Sequence, residues 1–473
     1  METLTKNELS FISSAFESVF ANPFASDKGD NTLQDSLPQE ELNEKLLQII
    51  KRLEESGLEL VQDFPFQEKG IAEKLFISSS YLRFAGKLSS KACEAFKAES
   101  PLSIDFGSEG LLSLEKHGFE KSKANRIFSS FFQLERAKGC IEDSISGHGR
   151  VAEDFRKQLW DCVFSSSFEN YINFFSESSV HFPILICSQP GCERTRAAEA
   201  AALSGFIGYN EKKQSFKTDM QKLYASADMS GCREDEAESF IFGRGKGAFL
   251  WADSPAKGVL DKPSAGGIAF IDGIENLTAR LAEKLRLALE TGFCSPAGET
   301  KRNALESRVF AGLTEDTSQL GSGLKMCFAK TLTVPPLRER IDQSRDNLAL
   351  IASKALEQCT GISNPEAAEK LSEQLIVKGG LEYSWPENER ELSCFVKSFL
   401  LSGGEELISE SDNSHGKDFL SSRPTAAKLL SDYCKMLYEE YGSYEQAART
   451  AGLDRRTAKK YIEMDETARN EPS

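Results

Sequence analysis

The chain has 473 residues, 40% of them apolar, a formal charge of −16 and a pI near 5.0. That length exceeds one ordinary core and predicts two to four domains. The acidic balance excludes a protein-wide basic field for nucleic acid, so any DNA contact has to come from a local patch. Eleven cysteines without a C-x-x-C pair, and only four histidines, argue against a structural zinc site and against a disulfide framework. Reduced thiols in a cytoplasm fit better. The opening residues, "METLTKNELSFISSAFESVF", carry acids and no long apolar run. No window approaches about 18 apolar residues, so the expectation is a cytoplasmic protein with no signal peptide and no membrane partner.

In chain order, "NPFASDKGDNTLQDSLPQEEL" is rich in turn formers and acids and reads as a loop. "LNEKLLQIIKRLEESGLELV" then shows helical spacing up to Gly57, and "FEKSKANRIFSSFFQLERAKG" is another helical candidate. Residues 1–144 are expected to form a helical regulatory domain for a ligand that the sequence does not name. From about 145 the pattern changes. "FPILICSQPGCERTRAAEAAALSG" reads as a buried strand, a turn and an Ala-rich helix. The loop "FGRGKGAFLWA", the strand "GGIAFIDG", the helix "NLTARLAEKLRLALE" and the strand "SRVFAGL" follow. Strands alternating with helices predict an α/β domain with a parallel sheet. Leu277, Leu281, Leu285 and Leu289 recur every fourth residue and share one helix face. After "TLTVPPLRERI" the pattern is helical to about 402, and the Ser/Gly/acid-rich segment 403–424 reads as a linker.

Two short stretches carry candidate phosphate chemistry. A phosphate loop needs glycines so that backbone N–H groups cradle oxygens, and a lysine to neutralise charge. In "SQPGCERT" only Gly191 is a glycine; Ser188 and Glu193 stand at the other glycine positions and Arg194 at the lysine position, while Thr195 offers a hydroxyl for magnesium. Glu193 turns a negative charge towards any polyphosphate, and like charges about 4 Å apart cost roughly 4 kcal/mol at an effective dielectric of 20. An ordinary strand–helix turn and a working cradle both remain open on these residues. In "GGIAFIDGIENL", Asp272 suits magnesium held through water, but Gly273 cannot polarise an attacking water and Glu275 is expected to point elsewhere.

The last unit, 425–473, is the most legible. In "YGSYEQAARTAGLDRRTAKKYI", residues 444–451 make one helix, Gly452 allows a sharp turn and Asp454 caps a second helix. Ala447, Ala448, Leu453, Ala458 and Ile462 supply small interhelical contacts, which is helix-turn-helix spacing. Arg455, Arg456, Thr457, Lys459 and Lys460 lie on the second helix and are the candidate DNA-binding residues, for base edges at its amino end and for phosphates. A solvated helical hairpin is the plainer alternative. Units of this size bind DNA weakly alone, so a homo- or hetero-oligomer is expected.

The ordered blocks "ILICSQPGCERT", "ESFIFGRGKGAFLWA", "GGIAFIDGIENL", "SRVFAGL", "VPPLRERIDQ" and "WPENERELSCFV", followed by the helix-turn-helix, resemble the bacterial enhancer-binding proteins. These are AAA+ transcription activators acting on RNA polymerase that carries sigma-54. The resemblance covers roughly residues 145–402 and 425–464. It implies a P-loop-type AAA+ α/β core over 145–340, a helical lid over 341–402, ATP and magnesium as cofactors, and DNA and the sigma-54 polymerase as partners. It places Gly191, Arg194 and Thr195 at the Walker A position, Asp272 at the magnesium-binding Walker B acid and Arg390 at the sensor arginine. Gly247, Ala248, Phe249, Leu250, Trp251 and Ala252 match the sigma-contact loop GAFTGA, with Leu250 and Trp251 in place of Thr and Gly. The departures concern the motor. The cradle lacks glycines and lysine, Gly273 replaces the Walker B glutamate, Thr314 replaces an asparagine, and only Lys325 and Lys330 remain in the normally Arg-rich stretch. The expectation is a DNA-binding regulator with impaired or lost ATP hydrolysis. An active ATPase with unorthodox motifs and a non-enzymatic interaction scaffold are the alternatives.

Overall fold

Residues 3–25, 38–95, 102–216, 220–248, 254–264, 266–314, 320–403 and 426–463 are described by the computed structural model. The chain divides into two compact units, Met1–Leu401 and Ser402–Ser473.

The first unit begins with α1 (Lys6–Val19), α2 (Gln39–Glu55), α3 (Lys69–Ala95), α4 (Gly107–Glu115) and α5 (Lys121–Glu142). Thr5 and Glu8 form a capping box on α1, which satisfies two of the amides that a helix start leaves free. α6 (Arg150–Phe164) follows, and then the sheet. Its strands are β1 (Ile184–Ser188), β2 (Tyr224–Asp228), β3 (Ile268–Asp272), β4 (Arg308–Thr314) and β5 (Lys330–Thr333). They are parallel throughout, in the order β2-β3-β4-β1-β5. β1 is buried along its whole length, as expected of a central strand covered on both faces. The helix α7 (Arg194–Leu203) follows β1, α8 (Glu234–Phe242) follows β2 and α9 (Ala279–Thr291) follows β3. This is the parallel α/β sheet read from the sequence. Register brings Ser188 opposite Thr314 and Asp228 opposite Asp272, so the carboxyl ends of four strands meet at one edge. Ligands of open α/β sheets bind at such an edge.

The amino-terminal helices share a core with the sheet. One apolar cluster runs from Leu4 through Phe128 and Phe132 to Phe270 and Val334. Polar links reinforce it: Gln133 Nε2 donates to the Ser204 carbonyl at 2.8 Å and Asn125 Nδ2 to the Tyr209 carbonyl at 3.0 Å. Beyond β5 come α10 (Leu337–Gln343), α11 (Arg345–Thr360), α12 (Pro365–Val377) and α13 (Asn388–Ser402).

The second unit contains α14 (Ala426–Tyr441), α15 (Tyr444–Ala451) and α16 (Arg455–Glu463), packed through Cys434, Leu437, Ala447, Ala448 and Ala458. Among the described residues no helix is long and apolar enough to cross a membrane.

Candidate functional site

The turn after β1 uses its own amides. Cys192 N donates to the Gln189 carbonyl at 3.3 Å and Arg194 N to the Cys192 carbonyl at 2.9 Å. Gly191 takes φ +75°, open to glycine without penalty. A Cβ there would lie 1.9 Å from the Glu387 carbonyl oxygen, so the segment before α13 sits directly against the turn. Asn388 fixes that contact, donating from Nδ2 to the Pro190 carbonyl at 2.9 Å and accepting from Leu337 N at 2.8 Å.

Arg194 folds back over the end of the sheet. Its Nε lies 3.0 Å from Asp272 Oδ1, and Nη1 donates to Thr314 Oγ1 at 3.0 Å and Ser188 Oγ at 3.2 Å. One guanidinium thus links the ends of β1, β3 and β4, and its planar fork suits that task better than an ammonium would. Burial pushes the Asp272 carboxyl above its ordinary range, Arg194 pulls it back down, and Asp228 on the next strand adds to the rise. Gly312 leaves room for this carboxylate, since a Cβ there would lie 2.0 Å from Asp272 Oδ1.

Glu193 turns away from this cluster and pairs with Arg196 at 3.0 Å. Thr195 is exposed on the first turn of α7. Gly273 adopts φ +70°, ψ 39°, a left-handed conformation that disfavours a glutamate on backbone grounds as well. Glu275, expected to point elsewhere, instead turns back to the sheet: its Oε1 accepts from Thr314 N at 3.4 Å, and its buried Oε2 has no hydrogen-bond partner among the described residues. The short 3-10 turn Ile274–Asn276 aims it there.

Arg390 packs its Cβ beside Gly191 but does not turn its guanidinium onto the Arg194 cluster. Its side chain is 68% exposed and pairs with Glu387 at 2.9 Å, one turn away. Arg338 and Arg340 are held structurally. Arg338 donates to the Tyr383 carbonyl at 3.1 Å and pairs with Asp342. Arg340 is fully buried, pairs with Glu389 and donates to the Ser146 carbonyl at 2.9 Å. Burial pushes Arg340 down to about 10.

In this arrangement the groups that would hold magnesium and ATP are engaged with one another. The lysine position is filled by a guanidinium already bonded to three protein groups, Asp272 is neutralised by it, and the Glu387 backbone covers the one glycine of the turn. Among the described residues no group of three or more His, Cys, Asp or Glu side chains is placed to hold a metal ion. The sequence identified Gly191, Arg194 and Asp272 but missed Glu387 and Asn388, which close the turn. Their only sequence signal was the Pro-Glu-Asn run itself.

The loop of residues 247–252 is described only at its root. Arg244 and Ala256 exchange backbone hydrogen bonds at 2.9 and 3.0 Å, and Gly245 N donates to the Ala297 carbonyl at 3.0 Å. Gly247 is exposed at φ +78° and Ala248 half-buried. Phe249, Leu250, Trp251 and Ala252 lie outside the described residues.

In the second unit, Gly452 ends α15 at φ +69°. Asp454 Oδ1 accepts from Arg456 N at 3.0 Å and Thr457 N at 3.1 Å, capping α16. Arg455, Arg456, Lys459 and Lys460 are exposed and Thr457 is half-buried. The Lys459 ammonium stands 5.7 Å from the Tyr444 ring centroid, which ties it loosely to α15.

Comparison with known proteins adds three findings. Residues 181–326 match the family described as the sigma-54 interaction domain. The chain is 29% identical over 221 residues to transcriptional activator RocR of Bacillus subtilis (strain 168), covering 43% of this chain and 45% of RocR. It is 29% identical over 233 residues to the anaerobic nitric oxide reductase transcription regulator NorR of Salmonella agona (strain SL483), covering 45% of this chain and 43% of NorR. The chain thus spans less than half the length of either relative. A crystal structure of NtrX from Brucella abortus aligns at a TM-score of 0.39 with 14% identity, over 76% of this chain and 79% of that one.

Proposed function

We propose, from a chain whose residues 181–326 match the sigma-54 interaction domain and which is similar to the transcription regulators RocR and NorR, that it is a DNA-bound transcription regulator whose nucleotide site is shut by its own side chains. The observation carrying this reading is Arg194, bonded at once to Ser188, Asp272 and Thr314. A phosphate would have to displace a guanidinium from a half-buried carboxylate, and magnesium would have to take that carboxylate from it. The exposed basic face of α16 is the DNA contact. Arg455 and Arg456 stand at its amino end, where base edges are met, and Lys459 and Lys460 follow for phosphates. The reading includes a cytoplasmic oligomer, alone or with competent relatives, that meets the sigma-54 polymerase through residues 247–252.

The test is nucleotide binding and phosphate release by the full chain with MgATP, with and without DNA. No turnover above background is expected, and no saturable binding of a fluorescent ATP analogue. Robust phosphate release that disappears in Asp272→Ala would overturn the reading. One observation favours a second reading, an active but unorthodox ATPase: the unpartnered Glu275 Oε2 beside Thr314 is a ready water-positioning group. That enzyme would lose turnover in Glu275→Gln.

A further inference from the structure

A cavity lies at the opposite, amino-terminal edge of the sheet, away from the Arg194 cluster. It measures about 420 Å³ and lies between the end of α6, the segment 165–182 and the first residues of β1, β4 and β5. Phe174, Phe175 and Phe182 line it, and Phe174 leaves 72% of its surface exposed. A single turn of π-helix, Tyr171–Phe175, presents the first two of these rings, and such turns recur at functional sites.

Arg308, the first residue of β4, also lines this cavity and is only 5% exposed. Its Nε and Nη1 donate to the Phe182 and Cys162 carbonyls, each at 2.6 Å, and its guanidinium lies 5.2 Å from the Phe175 and Phe310 ring centroids. All of these partners are neutral. Among the described residues no carboxylate lies within ion-pair distance of it. Burial lowers it to about 10, so it remains charged at neutral pH. A buried charge without a counter-ion is costly, and proteins normally pair it. Lys330 adds a second cation to the lining. Among the described residues the one acid in the lining is Asp161, which accepts from Asn22 Nδ2 at 3.0 Å.

We propose that this cavity binds a small amphipathic carboxylate, with its charged end at Arg308 and Lys330 and its apolar body against Phe174, Phe175 and Phe182. The ligand supplies the anion that the fold withholds from Arg308, and the rings supply the concave apolar wall typical of small-molecule sites. Such a site gives the regulator a chemical input independent of the nucleotide edge.

Calorimetric titration of the full chain with 3-phenylpropionate and with its neutral amide, 3-phenylpropanamide, tests this. The acid is expected to bind saturably and about tenfold or more tightly than the amide, because charge-assisted bonds are about twice as strong as neutral ones. Ala329→Trp, which fills the cavity from an exposed position while leaving Arg308 in place, is expected to weaken acid binding about tenfold or more. Lys330→Gln is expected to weaken it by a smaller factor. Arg308→Met, where it keeps native circular dichroism, removes the preference for acid over amide; where it unfolds, the acid–amide comparison on the parent chain and Ala329→Trp decide. Equal binding of acid and amide, no saturable binding of the acid, or binding untouched by Ala329→Trp would each overturn the proposal.

Discussion

Replacing Arg194 by methionine keeps the stem and deletes the charge that neutralises Asp272. Removing one partner of a buried pair costs about 3–5 kcal/mol, chiefly by stranding the other charge. Arg194 and Asp272 keep 13% and 21% of their side chains exposed, which moves the expectation to the lower end, about 3 kcal/mol. Ser188 adds little, since its hydroxyl still donates to the Gln189 carbonyl at 2.8 Å. The loss depends on pH. Without the guanidinium, the folded-state Asp272 carboxyl rises further above its unfolded value, because burial already raises it. A raised carboxyl costs nothing below the unfolded pKa of about 3.9 and costs progressively more as pH climbs through the interval up to the folded value. The deficit of Arg194→Met against the parent is therefore greatest near about pH 8 and shrinks towards about pH 4.5. Urea unfolding followed by tryptophan fluorescence at both pH values measures it, with Trp160 and Trp385 buried in the same unit. The double variant Arg194→Met/Asp272→Leu is expected to recover to within about 1 kcal/mol of the parent, because no charge is left stranded. A single variant as stable as the parent at both pH values, or a double variant weaker than the single one, would refute the account of Arg194 as the counter-ion of Asp272.

Gly191→Ala has to adopt φ +75° and push the Glu387 carbonyl away, so the urea midpoint of the first unit is expected to fall by the equivalent of about 2 kcal/mol or more; an unchanged midpoint would mean that turn and covering segment are apart in solution. Gly273→Glu puts a side chain at φ +70° and is expected to lower stability by about 1–2 kcal/mol without creating phosphate release, so turnover in this variant would show that only the carboxylate was missing. The Thr457 hydroxyl, with the Thr457 and Arg456 amides, holds the Asp454 carboxyl below its ordinary range, so its capping is present above the unfolded pKa and is lost as pH falls through the lower folded value; helicity of the second unit should therefore decline below about pH 4, and Asp454→Ala should abolish that pH dependence. Lys459→Ala/Lys460→Ala should weaken DNA retention uniformly across sequences and reduce the salt slope by about 2, whereas Arg455→Ala/Arg456→Ala should lose retention of the target; identical behaviour of the two pairs would deny them separate roles.

The central strands were legible because they are buried on both faces and read as unbroken apolar runs, as in "ILICS" and "IAFID". The edge strands were not. Tyr224–Asp228 has no fully buried residue, and Lys330–Thr333 buries only Leu332, so neither leaves a run to detect. Arg194 and Asp272 were found through spacing, but their mutual contact was invisible. It depends on the parallel register that aligns β1, β3 and β4, and the 77 intervening residues carry no local trace of it. Glu387 and Asn388 were missed for the same reason, since their partners Gly191 and Pro190 lie almost two hundred residues away. In the second unit the turn and the cap are made by residues at most five apart, which is why both could be read directly.

The shared core of the amino-terminal helices and the sheet bears on how a signal could travel. Phe132 stacks on Phe216 at 4.0 Å and Phe128 meets Tyr209 edge-on at 5.5 Å, so α5 is held by the strip of chain that follows α7. A cut at residue 144 would wet both sides of that seam, and neither fragment would keep a finished surface. A change made in the first helices would therefore travel as a change in packing. It would be felt along α7 and reach its amino end, where Arg194 grips the sheet.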